Sequence, residues 1–286
     1  MTEEDIVRNF DADGPQELEI ALNSGAVDVL LTDEPGITVR LRHRPDLASA
    51  WASGFSSIMS WFSGQTGEQT EEGLAQARIE FSGGRLTVQM PKSMRAFAVG
   101  ITVRAPNGSH VDIRSGSADI LVTGAAGRLK VHTGSGDIKV DRADGAATVN
   151  TGTGAVRLGP MLGGLQARSG SGDVEVSSVG GSSALVTGSG DVWLGAVAAD
   201  VMARTGSGDL SVADAASGKL DLNTGSGEIR VGIRQGTSAE IDLSSGSGQA
   251  RSELPLLNTP PNTKPVLRVR GRTGSGHALV TTALDG

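Results

Sequence analysis

Apolar residues along this chain recur in pairs at i and i+2, and the pairs themselves recur at a regular interval. Leu129 and Val131 are followed by Ile138 and Val140, then by Ala147 and Val149, then by Val156 and Leu158. A period of two sends alternate side chains to opposite faces of an extended strand, which a helical period would not do. Each pair therefore predicts a short, half-buried strand. Its outward positions are mostly polar, as at Lys130, Lys139, Arg157, Arg168 and Arg204. Val186, Trp193 and Met202 are apolar at positions predicted to face outward.

The strands are punctuated by a glycine turn. The block Thr133-Gly134-Ser135-Gly136-Asp137-Ile138-Lys139-Val140 recurs nine times, with its first glycine at Gly116, Gly134, Gly152, Gly170, Gly188, Gly206, Gly225, Gly246 and Gly274. The spacings are 18, 18, 18, 18, 18, 19, 21 and 28. Equal spacing in series means one structural unit per repeat, made of two strands and two turns. Such units predict a β-solenoid whose coils pair in parallel, each on the one before it, about 4.8 Å apart. The longer late spacings read as loop insertions, most clearly from Pro255 to Pro265.

The same alternation extends toward the N-terminus. Leu18, Ile20 and Leu22 lead through Asn23-Ser24-Gly25-Ala26 to Val27 and Val29, and the pattern resumes at Ile79, Phe81, Leu86, Val88 and Met90. The expected organisation is a single-domain, all-β solenoid (β-helix) with one coil per repeat. It has a polar segment over 1–14, first solenoid strands over 15–43, an insertion over 44–78 and the main solenoid over 79–286.

The insertion has a different period. From Asp46 to Gly64, Leu47, Trp51, Phe55, Ile58, Met59, Trp61 and Phe62 share one face at helical spacing, and serines share the other. This predicts an inserted amphipathic helix capped by Asp46 and Gly64. Its aromatic face and uncharged polar face suit three roles: docking on the solenoid, contact with a membrane surface or another envelope protein, or self-assembly. Glu68 to Glu72 makes an acidic link after it.

Composition narrows the chemistry. Net charge is −7, from 25 basic and 32 acidic residues, which argues against nucleic acid as a partner. The chain has no Cys and no Tyr, and 42 Gly. Thiolate chemistry and zinc–thiolate sites are excluded. The position after each Gly-Ser-Gly forms a column: Asp119, Asp137, Ala155, Asp173, Asp191, Asp209, Glu228, Gln249 and His277. Stacked carboxylates suit Ca²⁺. The competing reading is an aspartate that accepts turn N–H groups at a strand start. The interruption at Ala155 and the single Asp per repeat favour the second. The threonine and serine columns read the same way, as hydrogen-bonded ladders. His43, His110, His132 and His277 are scattered, and no catalytic residue, cofactor site or metal site is expected.

The Thr/Ser-Gly-Ser-Gly-Asp block, together with Ile101-Thr102-Val103-Arg104-Ala105-Pro106-Asn107-Gly108 before the first regular unit, resembles a bacterial family of adhesin-like β-strand-repeat proteins of unknown function, also called toast-rack domains. The resemblance covers roughly residues 15–42 and 79–284. It implies a repeat fold and, for some members, a link to cell-envelope stress or surface display. It supplies no catalytic residues.

The start, Met1-Thr2-Glu3-Glu4-Asp5, is acidic where an export signal is basic, so the expected location is cytoplasmic, peripheral to the inner membrane. The expected function is a non-enzymatic scaffold at the inner face of the envelope. A self-assembling, cytoskeleton-like β-helix polymer and a surface adhesin are the alternatives. The run His277-Ala278-Leu279-Val280-Thr281-Thr282 ends the repeat without a cap, so Leu279 and Thr281 are expected at an open edge that stacks end to end in a homo-oligomer.

Overall fold

The computed structural model describes residues 5–43, 76–91, 98–255 and 265–283. Every regular element among them is a β-strand. The chain divides into two compact units, Met1–Asp141 and Arg142–Gly286, where the sequence predicted a single domain.

The first unit is built from β1 (Ile6–Phe10), β2 (Glu17–Thr32), β3 (Ile37–His43), β4 (Arg78–Ser82), β5 (Arg85–Gln89), β6 (Val99–Pro106), β7 (His110–Ala126) and β8 (Leu129–Ser135), and it ends within β9 (Ile138–Ala143). The long β2 spans both halves of a coil and is flanked on both sides. Leu18 pairs with Leu86 on β5 and with Val111 on β7, and Val27 pairs with Ile101 on β6 and with Ile120 on β7. The first-written coil is therefore interior, which corrects the expectation that each coil stacks on the last. Leu18, Ile20, Val27 and Val29 are at most 1% exposed.

The outer side of this unit is closed by antiparallel strands: β4 on β5, and β1 on β3, which lies on β6. The polar segment expected over 1–14 thus contributes a strand. Phe10 on β1 and Phe81 on β4 meet with ring centroids 5.6 Å apart.

The second unit holds β10 (Ala147–Thr153), β11 (Val156–Met161), β12 (Leu165–Ser169), β13 (Val174–Val179), β14 (Ser183–Thr187), β15 (Val192–Val197), β16 (Val201–Thr205), β17 (Leu210–Ala215), β18 (Gly218–Ser226), β19 (Ile229–Ile233), β20 (Ala239–Ser245), β21 (Ala250–Ser252), β22 (Leu267–Ser275) and β23 (Ala278–Thr282). Pairing is parallel, and its register follows the sequence repeat. Val149 faces Ala167 and Val156 faces Val174, each at the equivalent position of the next repeat. Val201 faces Leu220, so the longer spacing before Gly225 is absorbed without loss of register. The predicted inward pairs Ala147/Val149, Val156/Leu158, Leu129/Val131 and Ile138/Val140 are all buried.

The rung order departs from the sequence order at the end. β22 and β23 lie between β18/β19 and β20/β21: Leu220 pairs with Val269, which pairs with Ile241, while Val231 pairs with Val280, which pairs with Ser252. The glycine column runs Gly225, Gly274, Gly246. The spacing between Gly246 and Gly274 is thus a true neighbour distance, and the spacing between Gly225 and Gly246 separates rungs that do not touch. Composition explains the exchange. The β20/β21 rung carries Ser252 where the inner rungs carry Val231 and Val280, and an inward hydroxyl is tolerated better at an end than inside an apolar core. Ile241 and Leu243 are only half-buried there, whereas Leu267, Val269 and Val280 are fully enclosed.

The fold class needs a further correction. No helix occurs among the described residues, and the solenoid is closed at its N-terminal side by strands. The helix expected over 46–64, with Leu47, Trp51, Phe55, Ile58, Met59, Trp61 and Phe62, lies outside the described residues.

Candidate interaction surface

The polar columns of the repeat are taken up by the fold. The Oδ1 of Asp173 accepts the backbone N–H of Asp191 at 2.9 Å, that of Asp191 accepts the N–H of Asp209 at 2.8 Å, and that of Asp209 accepts the N–H of Glu228 at 2.7 Å. Asp119 does the same for Asp137 at 2.9 Å. Each carboxylate begins a strand on one rung and satisfies a donor on the next, one charge-assisted hydrogen bond per rung. This is the N–H-accepting role that the sequence favoured over Ca²⁺.

Two histidines fill the same role, which the sequence reading missed. His110 Nδ1 accepts the N–H of Arg128, and His277 Nδ1 accepts the N–H of Gln249, both at 3.1 Å. The signal was available, because His277 stands in the Asp column.

The threonine column is buried and also bridges rungs. Thr205 Oγ1 donates to the carbonyl of Gly190 at 3.1 Å, Thr224 to Gly208 at 2.9 Å and Thr273 to Gly227 at 2.8 Å. The glycines between these columns make the close approach possible. A Cβ on Gly170 would stand 2.4 Å from the carbonyl oxygen of Gly152.

What remains for recognition is the outward surface. Val186, Trp193 and Met202 are 43%, 41% and 37% exposed, as predicted. They lie on two different strand sets. Val186 on β14 and Met202 on β16 share one, where Val186 pairs with Arg204 and Met202 with Ala184. Trp193 on β15 lies between Glu175 and Ser211, and its ring passes over Gly195, where a Cβ would come within 3.3 Å of the indole.

Two surface depressions occur at the last rungs. One, of about 310 Å³, is lined by residues that include Glu228, Arg230, Gln249, Arg251, His277 and Leu279. The other, of about 230 Å³, is crossed by the ion pairs Arg268–Glu240 (2.8 Å) and Arg270–Asp242 (3.1 Å).

The predicted edge residues are placed differently from expectation. Leu279 pairs with Arg230 on one side and Arg251 on the other, and Thr281 pairs with Gly232. Leu279 is thus covered by β21, whereas Thr281, beyond the end of that pairing, has a strand partner on one side, and the outermost described rung is β20/β21. In the first unit, Glu17 gathers Arg85 (2.6 Å) and Arg128 (3.7 Å) across neighbouring strands. The Arg85 hydrogen bond and its charge hold the Glu17 carboxyl below the usual carboxylate range, with smaller help from Arg128 and His110 against partial desolvation.

The family model described as Toastrack DUF4097 matches residues 66–281. No curated protein matches. Among solved structures, a "putative adhesin" from Bacteroides fragilis is 13% identical over 98% of each chain, with a TM-score of 0.43. A "putative lipid binding protein" from Parabacteroides distasonis is 12% identical over 98% of this chain and 95% of its own, with a TM-score of 0.34. A "putative cell adhesion protein" from Clostridium sporogenes is 8% identical over 98% of this chain and 100% of its own, with a TM-score of 0.25.

Proposed function

We propose, from the premise that the chain belongs to the Toastrack DUF4097 family, that it is a non-enzymatic interaction scaffold. The observation that carries this reading is the Asp173–Asp191–Asp209 series. The carboxylates and hydroxyls that recur most often, and would otherwise be the reactive groups, hold one rung to the next. A partner then meets the outward strand positions, where Trp193, Val186 and Met202 supply apolar contact among polar neighbours.

The reading is tested by photo-crosslinking. A benzophenone side chain placed at position 193 or 202 is expected to give one discrete adduct in cells, and the same group at Lys139 is expected to give none. A chemical turnover abolished by Asp191→Asn in a folded protein would refute the scaffold reading.

The half-buried Ile241 and Leu243 on β20 favour a second reading, homotypic stacking through the β20/β21 rung. Sedimentation of the full chain checks it. Association that is lost in Ile241→Lys supports stacking, and a monomer at high concentration removes it.

A further inference from the structure

Arginines in the second unit fall into two groups. Arg157, Arg230, Arg268 and Arg270 each face a carboxylate: Glu175 at 3.9 Å, Glu228, Glu240 at 2.8 Å and Asp242 at 3.1 Å, respectively. Among the described residues, Arg168, Arg204, Arg251 and Arg272 face none; Arg251 donates to the Gln249 side-chain oxygen at 2.9 Å, and the side chains of Arg168, Arg204 and Arg272 are exposed. The sheet register puts these three in one column. Asn150 pairs with Arg168, Arg168 with Val186, Val186 with Arg204, Arg204 with Asn223, Asn223 with Arg272 and Arg272 with Ser244. The free guanidinium groups therefore stand on every second rung, about 10 Å apart at the inter-strand spacing of a sheet.

The surroundings suit a linear ligand. Beside the column, two residues toward the turn, run Gly170, Gly188, Gly206, Gly225 and Gly274, which have no side chain to obstruct a chain lying along the arginines. Exposed Ser171, Ser189, Ser207, Ser226 and Ser275 follow at the turn and supply hydroxyls. The nearest acids are already engaged. Asp221 accepts from the Asn223 amide, Asp242 binds Arg270, and the Asp173, Asp191 and Asp209 carboxylates beyond the turn accept backbone N–H groups. Of these acids Asp242 is neutralised by Arg270 and the others keep their charge, so the cationic character is confined to the line of guanidinium groups itself.

We propose that this column binds a linear acidic polysaccharide that carries one carboxylate on alternate sugars. An extended pyranose chain advances by close to one rung per sugar, so acids on alternate sugars meet guanidinium groups on alternate rungs. Planar guanidinium groups hold such carboxylates by paired hydrogen bonds. The inference goes beyond the scaffold reading and makes no use of the Trp193 side.

The test uses the full chain and hyaluronate oligosaccharides, which have one carboxylate per disaccharide, at low ionic strength. Binding is expected to weaken with added salt. It is expected to fall about tenfold in Arg168→Gln/Arg204→Gln and further when Arg272→Gln is added, since each exposed ion pair contributes modestly. The control Arg157→Gln/Arg230→Gln removes the same charge from paired positions and should leave affinity unchanged. The arginines are exposed, so thermal midpoints of all variants should match the parent. The proposal is overturned by three results: no hyaluronate binding at low salt, an equal loss in the control, or equally tight binding of single-stranded DNA, whose charges are spaced otherwise.

Discussion

Asp191 binds the next rung through its own side chain: its Oδ1 accepts the backbone N–H of Asp209 at 2.8 Å. The Asp209 amide follows a glycine in a turn and finds its acceptor in this carboxylate. The bond repeats from Asp173 to Glu228, so register and polar satisfaction are set by one residue type at one repeat position.

Asp191→Ala is expected to lower stability by about 1 kcal/mol, the usual net contribution of a hydrogen bond to an accessible donor. Asp191→Asn keeps an acceptor oxygen and should recover most of the loss. Chemical denaturation of the two variants checks this, and equal stability of Asp191→Ala and the parent would show the ladder to be energetically idle.

Gly170→Val should cost about 2 kcal/mol or more, because its side chain meets the Gly152 carbonyl oxygen at 2.4 Å from the Cβ alone. Backbone cannot retreat as a flexible side chain can. The thermal midpoint reports the effect, and a midpoint equal to the parent's contradicts the close glycine approach.

The exchanged rung order is checked by cross-linking. The chain has no cysteine, so introduced pairs are unambiguous. Asn223→Cys with Arg272→Cys joins positions that pair directly, and should oxidise readily. Asn223→Cys with Ser244→Cys spans two rungs and should not. The opposite result would restore the order written in the sequence.

Acid should weaken the Glu17 cluster. Its folded-state pKa lies below the unfolded value because Arg85 favours the ionised form. The contribution is therefore present above the unfolded pKa, about 4.3, and is lost as pH falls through the folded value. Wild type and Glu17→Gln should differ in thermal midpoint near neutrality and converge at strongly acidic pH. A difference that grows with acidification would reverse this sign.

The repeat itself determined much of this protein. Alternation at Val149, Val156 and Leu158 required strands, and the equal spacing of the glycine turns required parallel rungs in the register observed for Val156 and Val174. The Asp column was legible as structural because Ala155 interrupts it, and exposure of Val186, Trp193 and Met202 followed from strand parity. The order of the rungs and the location of the open edge were decided only in three dimensions. Near-identical repeats satisfy each other in several orders, so local pattern does not rank them. The choice falls to differences such as Ser252 against Val280, and to the antiparallel strands that close over β5 and β6. The free arginine column was hidden for the same reason. Arg204 and Arg272 are far apart in sequence, and only the insertion of β22 beside β18 brings them two rungs apart, with Asn223 between them.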